Sequence, residues 1–373
     1  MLSIDLVRGA IMLLMVLDHT RDYFHNYSQY FKTTDLAATT SAIFFTRWIT
    51  HFCAPGFVFL AGISIFLRRQ RVNNPIALSN FLLLRGLLLI LLEMTVVRFA
   101  WDFTGRPYFY AQIIWVLGFS MLLMSLVVRP IRALVAAIAL GILAYMIPGF
   151  LESPAIYVAC FGKGTTRFPN GFFIVFNYPI FQWFLVMLGG YFFGRVMAFP
   201  DATRKRIAAV CGGALLASFF ALRIMNVGDI RWNNQAAGIH PVLAFLNCTK
   251  LPPSIPFLLM TIGVIVLALS VADGIWHYVK PLLVLGRVPL FFYVAHLYLI
   301  HTLAVAVTVA RSQDIRWALP FSIWFPPPQS SNYGFGLPVV YLVSVIVVLM
   351  LYPMCRTLSR LKQAKKYSWL SYL

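Results

Sequence analysis

Long apolar stretches alternate with short polar stretches along the whole chain, and this alternation indicates the fold. A helix needs about 20 residues to cross roughly 30 Å of hydrocarbon. Ten apolar windows approach that length, near residues 4–24, 43–67, 79–100, 109–128, 131–150, 179–199, 207–225, 253–272, 287–310 and 337–355. The pattern predicts an all-α, polytopic integral membrane helix bundle of about ten transmembrane helices, with both termini on one side.

The short connections on one face of this bundle are basic, and they indicate its orientation. They contain Arg68, Arg69 and Arg71, then Arg129 and Arg132, then Arg204, Lys205 and Arg206, and finally Arg356 through Lys366. By the positive-inside rule this face, with both termini, is cytoplasmic. The opposite face carries the longer, aromatic and Pro/Gly-rich loops near residues 25–42, 151–178, 226–252 and 311–336, where we expect an acceptor to bind.

Composition supports a membrane protein. Only 11% of the 373 residues are charged and 61% are hydrophobic, whereas soluble domains carry about 25% charged residues. The 30 Lys and Arg residues outnumber the 11 Asp and Glu residues, but they are scattered between apolar runs, so we expect membrane topology and no nucleic-acid partner. We expect one domain over residues 1–373, with residues 359–373 forming a cytoplasmic interfacial tail.

Cysteine and histidine spacing gives no sign of a metal site. The five cysteines show no CxxC pairing and lie mostly in or beside apolar runs, so neither a zinc site nor a disulfide framework is expected. The histidines are not at H-E-x-x-H spacing. We therefore predict no metal cofactor.

The first apolar window is polar at both ends. Arg8 and His19 are eleven residues apart, which returns to nearly the same helix face after a rise of about 16 Å. That length matches an extended pantetheine arm, so an acyl-CoA could place its phosphates near Arg8 and its thioester beside His19. A neutral imidazole can act as a general base or as a nucleophile. Asp22, one turn further on, could orient His19.

Simpler interpretations of these residues stay open. Arg8 could be a snorkelling anchor, and His19 an interfacial histidine bonded to water. Asp18 could also orient the base, but with Arg21 three residues later it is better explained as a structural ion pair. Further candidates for the CoA phosphates are Arg68, Arg69 and Arg71, and more weakly Arg287.

Two stretches resemble a known family. They are Ser3 through Gly9 with the run on to Asp18 and His19, and Ala54 through Gly62. They are similar to the heparan-α-glucosaminide N-acetyltransferase catalytic-domain family, within the transmembrane acyltransferase group. The motifs cover about the first 70 residues, and the multi-helix hydropathy agrees along the rest of the chain.

The resemblance implies a cytoplasmic acetyl-CoA or other acyl-CoA donor and an acceptor sugar across the membrane. It also implies that His19 matches a histidine that bacterial membrane O-acyltransferases place eleven residues after their arginine. In the lysosomal N-acetyltransferase an asparagine takes this position, and the reactive histidine lies in the next loop. An ungapped alignment places Tyr30 there and a gapped one His25, so His25 is the second catalytic candidate.

The sequence therefore predicts an acyl-CoA-dependent transmembrane acyltransferase in a bacterial-type inner membrane, acting on a hydroxyl or amine of an extracytoplasmic carbohydrate. A homodimer is compatible with this prediction. One alternative is a proton-coupled transporter that uses Asp18, His19 and Glu93 as a relay. The other is a membrane subunit without chemistry, for which the polar groups of the first helix would be surplus.

Overall fold

The computed structural model describes residues 1–26, 34–72, 74–128, 154–233, 240–320, 328, 331 and 333–364, and these form a mostly helical bundle. Its helices are α1 (Leu2–Phe24), α2 (Ser41–Ile49), α3 (Cys53–Arg69), α4 (Pro75–Leu92), α5 (Arg98–Trp101), α6 (Ile113–Val127), α7 (Pro154–Cys160), α8 (Ile180–Met197), α9 (Asp201–Ile224), α10 (Pro241–Leu246), α11 (Ile255–Ile275), α12 (Lys280–Arg287), α13 (Pro289–Ala310), α14 (Ile315–Ala318) and α15 (Leu337–Gln363). A 3₁₀ turn at Thr50–Phe52 joins α2 to α3, and a π-helical turn at Glu93–Val97 joins α4 to α5.

Among the described residues, seven continuous helical segments are long and apolar enough to cross a membrane. They are Ser41–Arg69, Pro75–Trp101, Ile180–Met197, Asp201–Ile224, Ile255–Ile275, Pro289–Ala310 and Leu337–Gln363. Each matches one of the ten predicted windows. The chain is therefore an integral membrane protein, and the prediction of a helical membrane bundle is confirmed.

The other three predicted windows have different outcomes. Window 4–24 is the helix α1, but it carries several charged residues and is not one of the seven segments. Window 109–128 begins as a strand and continues as the 15-residue helix α6, so a full-length helix there was wrong. Window 131–150 lies outside the described residues, as does the tail beyond position 364; the part of the predicted tail before that belongs to α15.

A small sheet was not predicted. It contains β1 (Tyr108–Ala111), β2 (Gly164–Arg167) and β3 (Phe173–Phe176) in the order β1-β3-β2. Strand β1 runs parallel to β3, and β2 runs antiparallel to it. Aromatic and β-branched residues fill β1 and β3, as is usual in strands.

Helix α1 lies at the centre of the bundle, in contact with α3, α11, α12, α13 and α15. Its approach to α12 depends on two glycines. A Cβ atom at Gly286 would lie 1.8 Å from the backbone oxygen of Asp5, and one at Gly9 would lie 2.0 Å from that of Leu282. This close contact fixes the position of Arg8 relative to the end of α12.

Candidate functional site

A cavity of about 930 Å³ opens among α1, α3, α4, α6, α13 and the ends of α12 and α15. Six cationic side chains line it: Arg8, Arg68, Arg71, Arg85, Arg287 and Lys362. The described lining residues include no Asp or Glu, and apolar side chains such as Met12, Phe57 and Leu89 form much of the rest. Such a cavity suits a ligand that combines strong negative charge with an apolar part.

Arg8 is held firmly at the wall of this cavity. Its guanidinium donates to the Gly286 carbonyl at 3.0 Å and to the Ser64 hydroxyl at 2.9 Å, and it pairs with Asp5 at 3.2 Å. The partners come from three helices, so Arg8 is more than a snorkelling anchor. Asp5 offsets part of the positive charge of Arg8, whereas the Gly286 and Ser64 partners are neutral.

The other predicted phosphate ligands separate into two groups. Arg68, Arg71 and Arg287 line the cavity, and the Arg68 guanidinium carbon lies 3.5 Å from the ring centre of Phe81. Arg69 lies outside the lining, because it is turned toward the end of α6 and donates to the Val128 carbonyl. Arg69 therefore binds a backbone carbonyl, whereas it was predicted to bind a CoA phosphate.

Sequence reasoning did not assign Arg85 and Lys362 to this site. Arg85 lies within the apolar helix α4, and Lys362 lies in the stretch that was assigned to a membrane-surface tail. A lone arginine inside an apolar helix was the available signal, because such residues usually face a cavity or a partner. No comparable signal distinguishes Lys362 from its basic neighbours.

His19 is not part of the cavity lining, but it lies next to the lining residue Tyr293. Its ring contacts those of Tyr293 and Trp101, with centroids 6.1 Å and 5.2 Å away. The Nδ1 atom of His19 is 2.7 Å from Nε2 of His296. Their ring planes differ by 8° and the centroids are 4.9 Å apart, so the rings meet edge to edge. His19 is partly exposed, and within the described residues its Nε2 makes no hydrogen bond.

Two polar groups beside His19 have no hydrogen-bond partner of good geometry among the described residues, although they lie close enough to each other to interact. They are the Tyr293 hydroxyl and the Trp101 indole N–H, which are both buried. A buried donor without a partner is costly, and a catalytic role is one explanation for such a group. Both are donors, so they are suited to an oxygen that gains negative charge.

Asp18 and Asp22, on the helix faces next to His19, belong to an ion cluster. Asp18 pairs with Arg21 at 2.8 Å and with Arg47 at 2.5 Å, and it also accepts from the Thr50 hydroxyl at 2.8 Å. Asp22 pairs with Arg21 at 2.7 Å. The ion pair between Asp18 and Arg21 is therefore confirmed. Neither carboxylate is bonded to His19 among the described residues, so the predicted orienting role has no direct contact to support it.

Lys250, in the loop before α11, adds another positive charge to this region. Burial lowers the pKa of Lys250 to about 8, and the nearby Arg47 contributes to the shift. Its ammonium nitrogen lies 5.9 Å from the ring centre of Tyr178. This cluster thus contains three cations, Arg21, Arg47 and Lys250, and two carboxylates, Asp18 and Asp22.

His25 lies apart from the cavity. It ends α1, its backbone pairs with Phe335, and it is 2% exposed. Burial, and secondarily the charge of Arg21, lowers the pKa of His25 to about 4, so the imidazole is neutral near pH 7.

The proposed proton relay is not continuous in the described part of the chain. Glu93 accepts from the backbone N–H of Trp115 at 2.9 Å, and Asp18 is held by its two arginines. Neither bonds to His19. The described residues also contain no group of three or more His, Cys, Asp or Glu side chains that could hold a metal ion.

Comparison with known proteins identifies a family. The model of the family described as heparan-alpha-glucosaminide N-acetyltransferase, catalytic, matches residues 1–223. No curated protein matches the chain. The matched part includes Arg8, His19 and most of the cavity, whereas His296, Arg287 and Lys362 lie beyond it.

Proposed function

Because the chain belongs to the heparan-alpha-glucosaminide N-acetyltransferase catalytic family, a family of membrane acyltransferases, we propose that it moves an acyl group across the membrane. The donor is cytoplasmic acetyl-CoA or a related acyl-CoA. The acceptor is a hydroxyl or amine of a carbohydrate on the opposite side. The family uses acetyl-CoA as its donor, whereas the choice of acceptor is our proposal.

The observation that carries this proposal is the cavity with six cations, whose lining residue Tyr293 has its ring centroid 6.1 Å from that of His19. Coenzyme A carries a diphosphate and a 3′-phosphate, which are bound well by charge-assisted contacts from arginine and lysine. Arg8, Arg85 and Lys362 supply such contacts from three different helices. The apolar part of the lining then accommodates the pantetheine arm.

The distance to His19 fits this arm. Arg8 and His19 are separated by about 16 Å along α1, at 1.5 Å per residue. Met12 and Tyr293 line the cavity between them. A donor whose phosphates lie at Arg8 thus directs its thioester toward Tyr293 and His19.

His19 performs the proton transfer or the acyl transfer in this proposal. As a general base, it takes the proton of the acceptor hydroxyl or amine while the acceptor attacks the thioester carbon, and the carbon–sulfur bond breaks to release the CoA thiolate. As a nucleophile, its Nε2 attacks the thioester carbon and the carbon–sulfur bond breaks to release the CoA thiolate; the acceptor then attacks the acyl carbon, the bond to Nε2 breaks, and the acceptor proton passes to the thiolate or to water. In both routes, the Tyr293 hydroxyl can donate to the carbonyl oxygen as its negative charge grows.

The orientation of the protein follows from its charges. Arg8, near the start of the chain, and Lys362, near its end, line the same cavity, which supports having both termini on one side. The positive-inside rule makes this side cytoplasmic, where acyl-CoA is available. We place the protein in a bacterial-type inner membrane.

Transfer can be measured directly with purified protein in lipid nanodiscs. Acetyl-CoA with a labelled acetyl group is added together with a panel of amino sugars and polysaccharide fragments, and labelled sugar is counted. We expect saturable CoA binding and label on at least one acceptor. Absence of CoA binding together with absence of transfer would refute the proposal.

A further inference from the structure

His296 makes two short hydrogen bonds that fix where its proton lies. Its Nδ1 is 2.8 Å from the backbone oxygen of Phe292, and its Nε2 is 2.7 Å from Nδ1 of His19. A carbonyl oxygen can only accept, so Nδ1 of His296 must carry a hydrogen. The tautomer of a histidine is set by the bond that its other nitrogen makes.

The surroundings of His296 favour the neutral form. The side chain is 0% exposed. Its interaction partners are His19 and the backbone at Phe292 and Tyr293, and in the described part of the chain they include no carboxylate. A buried cation without a counter-ion is costly. Neutral His296 with its hydrogen on Nδ1 has a lone pair on Nε2.

The proton of His19 is then fixed as well. Two lone pairs 2.7 Å apart would repel each other, so Nδ1 of His19 must donate to Nε2 of His296. A neutral His19 with its hydrogen on Nδ1 keeps the lone pair on Nε2, the atom that makes no hydrogen bond within the described residues. That atom is therefore free to act as base or nucleophile.

We propose that His296 is a positioning residue, which holds His19 in the Nδ1–H tautomer with its Nε2 lone pair available for acyl transfer. The inference rests on the proposed function for its catalytic meaning, but the tautomer itself does not depend on activity. A carboxylate often holds a catalytic histidine in this way. Here Asp18 and Asp22 are engaged by arginines, and a second histidine takes that place.

Two substitutions at position 296 test this role: one keeps a side-chain acceptor for the His19 hydrogen bond, and the other removes it. In His296→Gln the side-chain oxygen can still accept from His19, whereas in His296→Leu no acceptor remains. We expect His296→Leu to lower kcat by about 10–100-fold, the usual effect of removing such a partner, with an unchanged KM for acetyl-CoA. His296→Gln should recover most of this loss. A simple packing role predicts the opposite order, since leucine suits a buried apolar position better than glutamine.

His301 provides a matched control on the same helix. It is also buried, but its nitrogens lie 2.8 Å and 3.0 Å from the backbone oxygens of Ala100 and Ala318, away from His19. His301→Gln should disturb the stability of α13 without changing the tautomer of His19. Thermal unfolding of each variant in detergent separates loss of fold from loss of chemistry.

The tautomer can be read by nitrogen NMR of protein labelled with ¹⁵N-histidine. The chain has seven histidines, so the His19 signals are assigned by their loss in His19→Gln. We expect His19 with a protonated Nδ1 and a bare Nε2 in the wild type and in His296→Gln, and loss of this state in His296→Leu. A wild-type His19 that carries its hydrogen on Nε2, or on both nitrogens, would overturn the inference. The expected tautomer in a protein that transfers no acyl group would instead refute the proposed function.

Discussion

Arg8, in the first helix, and Lys362, in the last described helix, line the same cavity. All the other described helices lie between them in the sequence. The cavity therefore exists only when α1, α4, α12 and α15 have assembled. The positive charge of the cavity is therefore a property of the folded bundle and not of any single helix.

The first prediction concerns Arg85 and Lys362, the two cavity cations that were not predicted from the sequence to bind CoA. Hydrogen bonds to charged groups contribute about 1.5–3 kcal/mol, so Arg85→Met and Lys362→Met should each raise the KM for acetyl-CoA by about tenfold or more. The kcat should change little, because these groups are far from the thioester. Arg206→Met is the matched control: Arg206 is exposed and lies outside the cavity lining. A loss of kcat with an unchanged KM would argue against a phosphate-binding role.

The second prediction concerns the hydroxyl group of Tyr293. Removing one donor to a developing oxyanion usually costs about 10²-fold in kcat or more, and Tyr293→Phe should show a loss of this order while CoA still binds. Tyr298→Phe on the same helix is the control, because the Tyr298 hydroxyl donates to the Val96 carbonyl at 2.8 Å and is not part of the cavity. If Tyr293→Phe turns over like the wild type, the hydroxyl takes no part in transfer.

The third prediction concerns the contact between α1 and α12. In Gly286→Ala the new methyl group would meet the Asp5 carbonyl, so one helix must move. Overpacking of this kind costs about 1–3 kcal/mol of stability, and the shift should also displace Arg8 and raise the KM for acetyl-CoA. Gly189→Ala is the control, since a Cβ there has no neighbour within 4 Å. Thermal unfolding in detergent measures both, and equal stability of the two variants would contradict the close contact.

The fourth prediction concerns His25 and pH. Burial lowers the pKa of His25 from its ordinary value of 6.5 to about 4. Between these values the unfolded chain binds the proton and the folded chain does not, so stability falls as the pH falls from about 6.5 to about 4. Below about pH 4 both states are protonated and this contribution falls no further.

Replacing His25 by Gln removes that titration. The unfolding temperature of the wild type should therefore fall more steeply than that of His25→Gln over this pH range. Parallel curves for the two proteins would show that His25 is not buried in the neutral form.

Local features of the structure were readable from the sequence. Apolar length alone located the seven membrane segments, and helical spacing predicted that Arg8 and His19 lie on nearly the same face of α1; Arg8 lines the cavity, and the His19 ring contacts the lining residue Tyr293. These inferences succeed because they depend on one helix at a time. Membership of the family adds the reaction class, which neither length nor spacing contains.

Contacts between distant segments could not be read in the same way. The approach of His296 to His19 depends on how α13 packs beside α1, and the pairing of β1 with β3 joins segments separated by α6 and α7. Asp22 was expected to orient His19 from its helical spacing, but Arg21 competes for it at 2.7 Å. In each case the contact depends on where a partner side chain or strand lies in the folded chain, which the sequence alone does not give.

The central claim is that His19 carries out acyl transfer from a donor bound in the cationic cavity. It is tested most directly by comparing wild type and His19→Gln in nanodiscs, with CoA binding and labelled acetyl transfer measured on the same samples. We expect equal CoA affinity and a loss of transfer of about 10²-fold or more in the variant. Transfer by His19→Gln at the wild-type rate would contradict it.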